Sequence, residues 1–198
     1  VTYINCSAEL KSFVGKHGGS ICTSSNAEKV IQWAQEQGGK LLFFPDQHLG
    51  RNTCFKMGVP LDQMNIYNPT KKNGGISPQQ IINSKVILWH GYCSVHQGFT
   101  TTQIENIKSD SPETTVIVHP ECSFEVVQAA DLSGSTSYIL DTIEKCRELN
   151  VDVLYGDTDS IFVKNPTEQQ MQTIINQAKK DHGVELEVEK EYRYVVLS

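Results

Sequence analysis

Two short stretches bring together side chains able to share a metal ion or a proton. In Cys93-Ser94-Val95-His96 a thiol and an imidazole stand three residues apart, just after the apolar run Val86–Trp89. Such a pair at a strand end can ligate one metal, although a buried thiol beside a loop histidine fits the spacing as well. In His119-Pro120-Glu121-Cys122 an imidazole and a carboxylate flank a proline, which suits a fixed acid–base pair. A packed histidine followed by a capping glutamate is the plainer alternative. Hydroxyls gather twice, at Thr23-Ser24-Ser25 and at Ser135-Thr136, each time before a helical pattern. They can grip a phosphate or carboxylate at the helix N-terminus or simply cap it. Pro45-Asp46 reads as a turn followed by a helix cap. In Gly156-Asp157-Thr158-Asp159 two carboxylates occupy a tight turn. They are able to hold divalent cations or to sit solvated.

These residues are placed by an alternation of strands and helices. Val1–Asn5, Ile21-Cys22, Leu41–Phe44, Gln63–Tyr67, Val86–Trp89 and Val116–Val118 read as strands. Helices are expected over Ala8–Lys16, over Ala27–Gln37 with Asn26 as its cap, within Leu49–Lys56, over Thr102–Ser109 and Phe124–Ala130, and from Thr136 onward. Asn68–Pro78 is polar and reads as a loop. Short apolar strands separated by helices predict an α/β fold of short parallel sheets with helices on both faces, a three-layer arrangement. Tyr3, Asn5, Cys22 to Ser25, Asp46, Cys93, His96, His119 and Glu121 then fall at or just beyond strand C-terminal ends, the edge where such sheets bind ligands. From about residue 144 the texture becomes α+β. Val151–Tyr155 and Ser160–Lys164 read as a hairpin, Thr167–Lys180 as a helix and Val184–Leu197 as strands. The expected division is 1–90, 91–143 as a partial second α/β domain, and 144–198 as a small α+β segment of hairpin, helix and strands.

Composition sets outer limits. The 198 residues are 38% hydrophobic and 20% charged, enough for a packed core. A net charge of -6 argues against a nucleic-acid binder as a whole. No apolar run reaches a membrane-spanning length of roughly 20 residues, so no membrane partner is expected. Six cysteines without a CxxC pair suggest reduced thiols and a cytoplasmic setting. The opening Val1-Thr2-Tyr3 has no leader-like pattern and is expected to be an internal start.

Six segments taken in order resemble the quinolinate synthase family: Tyr3-Ile4-Asn5-Cys6-Ser7-Ala8-Glu9, Ile21-Cys22-Thr23-Ser24-Ser25-Asn26-Ala27, Pro45-Asp46-Gln47-His48-Leu49-Gly50, Trp89 to His96, Val118 to Cys122, and Ala130-Asp131 through Gly134-Ser135-Thr136. The resemblance runs from residue 1 to about 140. It implies three similar α/β domains, each giving one cysteine to a 4Fe–4S cluster, and the condensation of iminoaspartate with dihydroxyacetone phosphate to quinolinate. By the same resemblance Cys93 is the middle cluster ligand, Tyr3 and Asn5 contact substrate, and Tyr3 takes part in proton transfer. Ser24, Ser135 and Thr136 hold anionic groups of the substrates, His96 and His119 bind them, and Glu121 is the general base. The other two cluster cysteines of the family have no counterpart here, so the chain is expected to be an incomplete fragment without a stable cluster of its own.

The tail carries a second resemblance. Val153-Leu154-Tyr155-Gly156-Asp157-Thr158-Asp159-Ser160-Ile161-Phe162 is similar to the palm hairpin of family B DNA polymerases. This implies Asp159, with Asp157 beside it, as ligands of Mg2+, and nucleic acid as a partner of that segment alone. The partner aspartate of the palm is not present. Two families meeting near residues 137–145 suggest a chimeric chain. Three functions therefore stand side by side: a quinolinate synthase fragment, a DNA polymerase palm fragment, and an anion-binding α/β module without catalysis.

Overall fold

A computed structural model describes residues 1–157, 160–164 and 167–182. The expected strands at Val184–Leu197 lie outside the described residues. The chain separates into two compact units, Val1–Gln97 and a second beginning at Gly98.

In the first unit every strand is short and parallel. Strand β1 (Thr2–Tyr3) pairs with β2 (Ile21–Cys22), with Tyr3 opposite Cys22. Strand β3 (Leu41–Phe43) and strand β4 (Met64–Tyr67) flank β5 (Val86–Trp89). A bridge between Thr2 and Phe44 joins the two pieces, through the amide of Tyr3 donating to Phe44 O at 2.7 Å. The result is one parallel sheet in the order β2-β1-β3-β5-β4. Parallel neighbours need crossover connections, supplied here by helices α1 (Ala8–Lys16), α2 (Ala27–Glu36), α3 (Gln47–Lys56) and α4 (Pro78–Asn83).

Local chemistry sets the ends of these helices. Ser7 Oγ accepts from the Leu10 amide, and Ser77 forms a capping box with Gln80 ahead of Pro78. Asn26 does not cap α2 as its position suggested. Its Oδ1 accepts instead from the amide and hydroxyl of Thr23, which tightens the turn before the helix. Helix α4 falls directly after the segment read as loop, because Pro78 is already set for a first helical position.

Phe43, Leu88, Val86, Ile31 and Leu49 are fully buried and form the centre of this unit. Helix α3 comes close to the sheet at Gly50, where a Cβ would stand 2.6 Å from the ring of Phe43 and 2.8 Å from Leu88. A larger residue there would lift the helix and with it Asp46 at its N-terminus.

The second unit opens with α5 (Thr101–Asp110), whose Thr100–Gln103 capping box mirrors that of α4. Strand β6 (Ile117–Val118) pairs in parallel with β7 (Leu132–Ser133), α6 (Phe124–Ala129) connecting them. Val116 and Val118 turn to a cluster with Ile104 and Val126, and Ile117 to one with Tyr138, Ile139 and Ile143 of α7 (Thr136–Glu148). Successive strand residues face opposite sides, so the strand is covered on both faces, as a three-layer unit requires.

Helix α7 continues through the point where a junction was expected. Beyond it Val151, Cys146 and Ile174 share a buried cluster. Strand β8 (Asp152–Asp157) pairs antiparallel with β9 (Ser160–Lys164), followed by α8 (Glu168–His182). The hairpin expected from sequence is thus formed in the backbone. Asp159 lies outside the described residues, as does the side chain of Asp157. Among the described residues, no helix is long and apolar enough to cross a membrane.

Candidate active site

Because all five strands of the first unit are parallel, their C-terminal ends form one edge. Tyr3 closes β1 there and is buried, and Asn5 is exposed two residues on. Ser24 follows β2, half-buried, in the turn that Asn26 ties together. Phe44-Pro45-Asp46 follows β3, and the loop carrying Cys93 and His96 follows β5. The structure brings Tyr3, Asn5, Ser24, Cys93 and His96 to this edge.

The best-built part of the edge is the junction of the last two loops. Asp46 is buried and uses both carboxylate oxygens: Oδ1 accepts from the Leu49 amide at 2.7 Å, and Oδ2 accepts from the Cys93 amide at 3.0 Å. The amide of Gln47 donates to Gly91 O at 2.9 Å. Gly91 is pressed against Pro45, where a Cβ would stand 2.3 Å from its carbonyl oxygen. Burial pushes the Asp46 carboxyl up from its ordinary range; the amides of Leu49, Cys93 and His48 and the nearby His96 pull the other way. Sequence reasoning took Asp46 for a plain helix cap. Only its second oxygen, aimed across 47 residues of chain, reveals more.

The thiols differ in kind. Cys22, Cys54, Cys122 and Cys146 are buried in apolar clusters. Burial pushes Cys22 and Cys54 up to about 12 and Cys146 to about 11. A thiol held protonated is a poor metal ligand. Cys93 and Cys6 are partly exposed, and Cys6 Sγ lies 3.1 Å from Thr2 Oγ1. Cys93 alone combines exposure with a position at the end of β5. It suits one thiolate ligand of an iron–sulfur cluster. The described residues offer no group of three cysteines that would hold one.

In the second unit β6 and β7 are also parallel, so His119–Glu121 and Gly134–Thr136 share an edge. The amide of Gly134 donates to Val118 O at 3.1 Å and holds the two segments together. Asp131 secures the same pair, accepting from the Val116 amide at 2.8 Å and pairing with Lys108 at 2.5 Å. Ser135 Oγ accepts from the Tyr138 amide at 3.3 Å, so this hydroxyl caps α7.

His119 and Glu121 are both buried and in contact. His119 Nδ1 lies 3.3 Å from Glu121 Oε2 and also 3.3 Å from the Glu121 amide nitrogen. It accepts from the amide when unprotonated and donates to the carboxylate when protonated, but not both. One ring nitrogen therefore faces a donor and an acceptor at equal distance, and its protonation decides which of the two it bonds.

A model of the family described as Quinolinate synthetase A protein matches residues 1–184. The quinolinate synthase of Corynebacterium glutamicum is 56% identical over 144 residues, covering 73% of this chain and 36% of that protein. That of Listeria monocytogenes serotype 4b is 56% identical over 143 residues, 72% of this chain and 39% of its own. That of Bacillus subtilis is 51% identical over 145 residues, 73% and 39%. The chain thus spans less than two fifths of the length of the curated relatives it matches.

Proposed function

Because the chain belongs to the quinolinate synthetase A family, we propose that it carries part of the active site of a quinolinate synthase, which condenses iminoaspartate with dihydroxyacetone phosphate in NAD biosynthesis. The observation that carries this reading is the gathering of the motif residues at strand C-terminal edges: Tyr3, Asn5, Ser24, Cys93 and His96 in one unit, His119, Glu121, Ser135 and Thr136 in the other. Cys93 would be one cluster ligand, the remaining thiolates coming from outside this chain. When bound, the 4Fe–4S cluster supplies a Lewis-acidic iron with an open position.

The residues of the chain do the rest. Glu121 takes a proton from substrate as general base and holds it on its carboxyl, with His119 Nδ1 3.3 Å from Oε2 to orient that group. Their burial excludes water and keeps that transfer local. Tyr3 supplies a second proton-transfer group, with Asn5 orienting substrate beside it. Ser24, Ser135 and Thr136 bind carboxylate or phosphate at helix N-termini, where backbone dipoles favour anions. His96 binds substrate from the loop that bears Cys93. A division at 1–90, 91–143 and 144–198, and a cytoplasmic setting, belong to the same proposal.

The test grafts residues 1–140 into the Bacillus subtilis enzyme in place of the matching segment, under anaerobic conditions. Quinolinate formation is expected to persist and to be abolished by Glu121→Gln with the cluster retained. A graft that folds and carries its cluster but makes no quinolinate refutes the assignment, and unchanged turnover in Glu121→Gln removes that residue from its role. The chain by itself should take up no stoichiometric cluster on reconstitution, read as the absence of absorbance near about 400 nm.

A second reading concerns the tail alone. It is a palm-like segment with Asp157 and Asp159 as Mg2+ ligands in a chimeric chain, and the one observation in its favour is the antiparallel pairing of β8 (Asp152–Asp157) with β9 (Ser160–Lys164). Against it, the family match continues to residue 184, although the curated relatives share only 143–146 residues. One uninterrupted transcript across codons 130–150 would exclude an assembly artefact; its absence would support one.

A further inference from the structure

We infer that Asp46 is a positioning residue, which presents Cys93 at the strand edge by holding its main chain through the second carboxylate oxygen.

A helix cap uses one acceptor. Asp46 spends Oδ1 on that task, at the Leu49 amide. Oδ2 is turned away from α3 and accepts from the Cys93 amide at 3.0 Å, although the carboxyl is buried and costly to keep there. Buried polar groups persist where their hydrogen bonds are satisfied, and here the second bond is made to the residue that bears the exposed thiol. Two further contacts act in the same direction. The Gln47 amide holds Gly91 O at 2.9 Å, and Gly91 lies against the carbonyl of Pro45 with no room for a Cβ. The loop 90–93 is therefore fastened to the loop 45–47 at three consecutive places: a steric contact, a backbone bond and a charged bond. Fixing the Cys93 amide fixes the direction of its Cα–Cβ bond, and hence the arc open to Sγ. Cys22, Cys54, Cys122 and Cys146 are held by apolar packing. Cys93 is partly exposed and takes its orientation from the main chain instead.

The purpose of this arrangement, an oriented thiolate for a metal cluster, rests on the proposed function; the geometry does not. The experiment uses the full chain without iron or sulfide. Asp46→Ser keeps a helix-cap acceptor but has a single, shorter oxygen. Residue-resolved amide exchange should show Leu49 still protected and Cys93 exchanging roughly tenfold faster, as loss of a hydrogen bond to a charged group implies. Iodoacetamide labelling of Cys93 should change with it, while that of Cys6 stays as in the parent chain. Asp46→Asn, nearly the same size, serves if the serine variant does not fold; its one acceptor oxygen should stay on the helix and release Cys93. If Cys93 exchange is unchanged in the folded variant, or if Leu49 alone is released, Asp46 is only a cap and the inference fails. Failure of the cluster reading would show separately, as a grafted enzyme that keeps its cluster after Cys93→Ser.

Discussion

Replacing Gly91 by alanine should unfasten the edge of the first unit without touching its core. The new methyl would stand 2.3 Å from Pro45 O, where ordinary contact begins near 3.4 Å. The two loops must then part by about 1 Å. At that separation the 2.9 Å bond from Gln47 to Gly91 and the 3.0 Å bond from Cys93 to Asp46 both stretch toward 4 Å and cease to be hydrogen bonds. A neutral bond contributes about 1 kcal/mol and one to a carboxylate about 1.5–3 kcal/mol, so the loss should be roughly 2.5–4 kcal/mol. Both tryptophans, Trp33 and Trp89, lie in the first unit, so their fluorescence reports its unfolding. With a urea dependence of about 1–3 kcal/mol per molar, the midpoint should fall by roughly 1–4 M. Gly15→Ala is the control, since a Cβ there meets nothing within 4 Å and alanine favours the helix. A Gly91→Ala midpoint within about 0.3 M of the parent would refute the reasoning.

Three other outcomes follow from burial. Iodoacetamide at about pH 8 should label Cys93 and Cys6 in the native chain and spare Cys22, Cys54, Cys122 and Cys146; peptide mapping that finds Cys22 or Cys54 modified before Cys93 contradicts the structure. The same thiols set an alkaline limit. Cys22 and Cys54 are pushed from 9.0 up to about 12 in the fold. The unfolded chain therefore loses those protons first, and stability should fall as pH rises from about 9 and level off above about 12; tryptophan-monitored urea midpoints that stay flat across that window would argue against buried thiols. In the second unit, Ile139 of α7 is fully buried in the cluster with Ile117 of β6. Ile139→Ala should cost about 2–5 kcal/mol, measurable by circular dichroism, and a loss under about 1 kcal/mol would mean that the cluster with Ile117 and Tyr138 is not packed as described.

Much of this was legible in the residues because it is decided locally. Ser7, Thr100, Ser123 and Ser135 each stand where an expected helix begins, and each accepts from an amide of the first turn; the short helix capped by Ser77 was not expected. The apolar runs at Leu41–Phe43 and Val86–Trp89 became strands because four consecutive apolar residues or fewer, bounded by turns, bury best in a covered parallel sheet. The strand Leu132–Ser133 was not legible: two residues carry no periodicity, and it exists because β6 offers it a partner. Asn26 failed as a cap for a similar reason, since Thr23 competes for its side chain and spacing alone does not say which donor wins.

The amino-acid order alone determined the kind of chemistry at hand: a thiol and an imidazole after one strand, an imidazole and a carboxylate after another, hydroxyls before helices. It determined these because residue type and its place after an apolar run are properties of short segments. Which of those groups touch was decided only by the tertiary structure. Whether Cys93 or Cys22 presents a reactive thiol depends on burial, and burial depends on helices brought in from elsewhere in the chain. Asp46 is the clearest instance. As a sequence it is the cap before a helix; in the fold its second oxygen accepts from the amide of Cys93, 47 positions away.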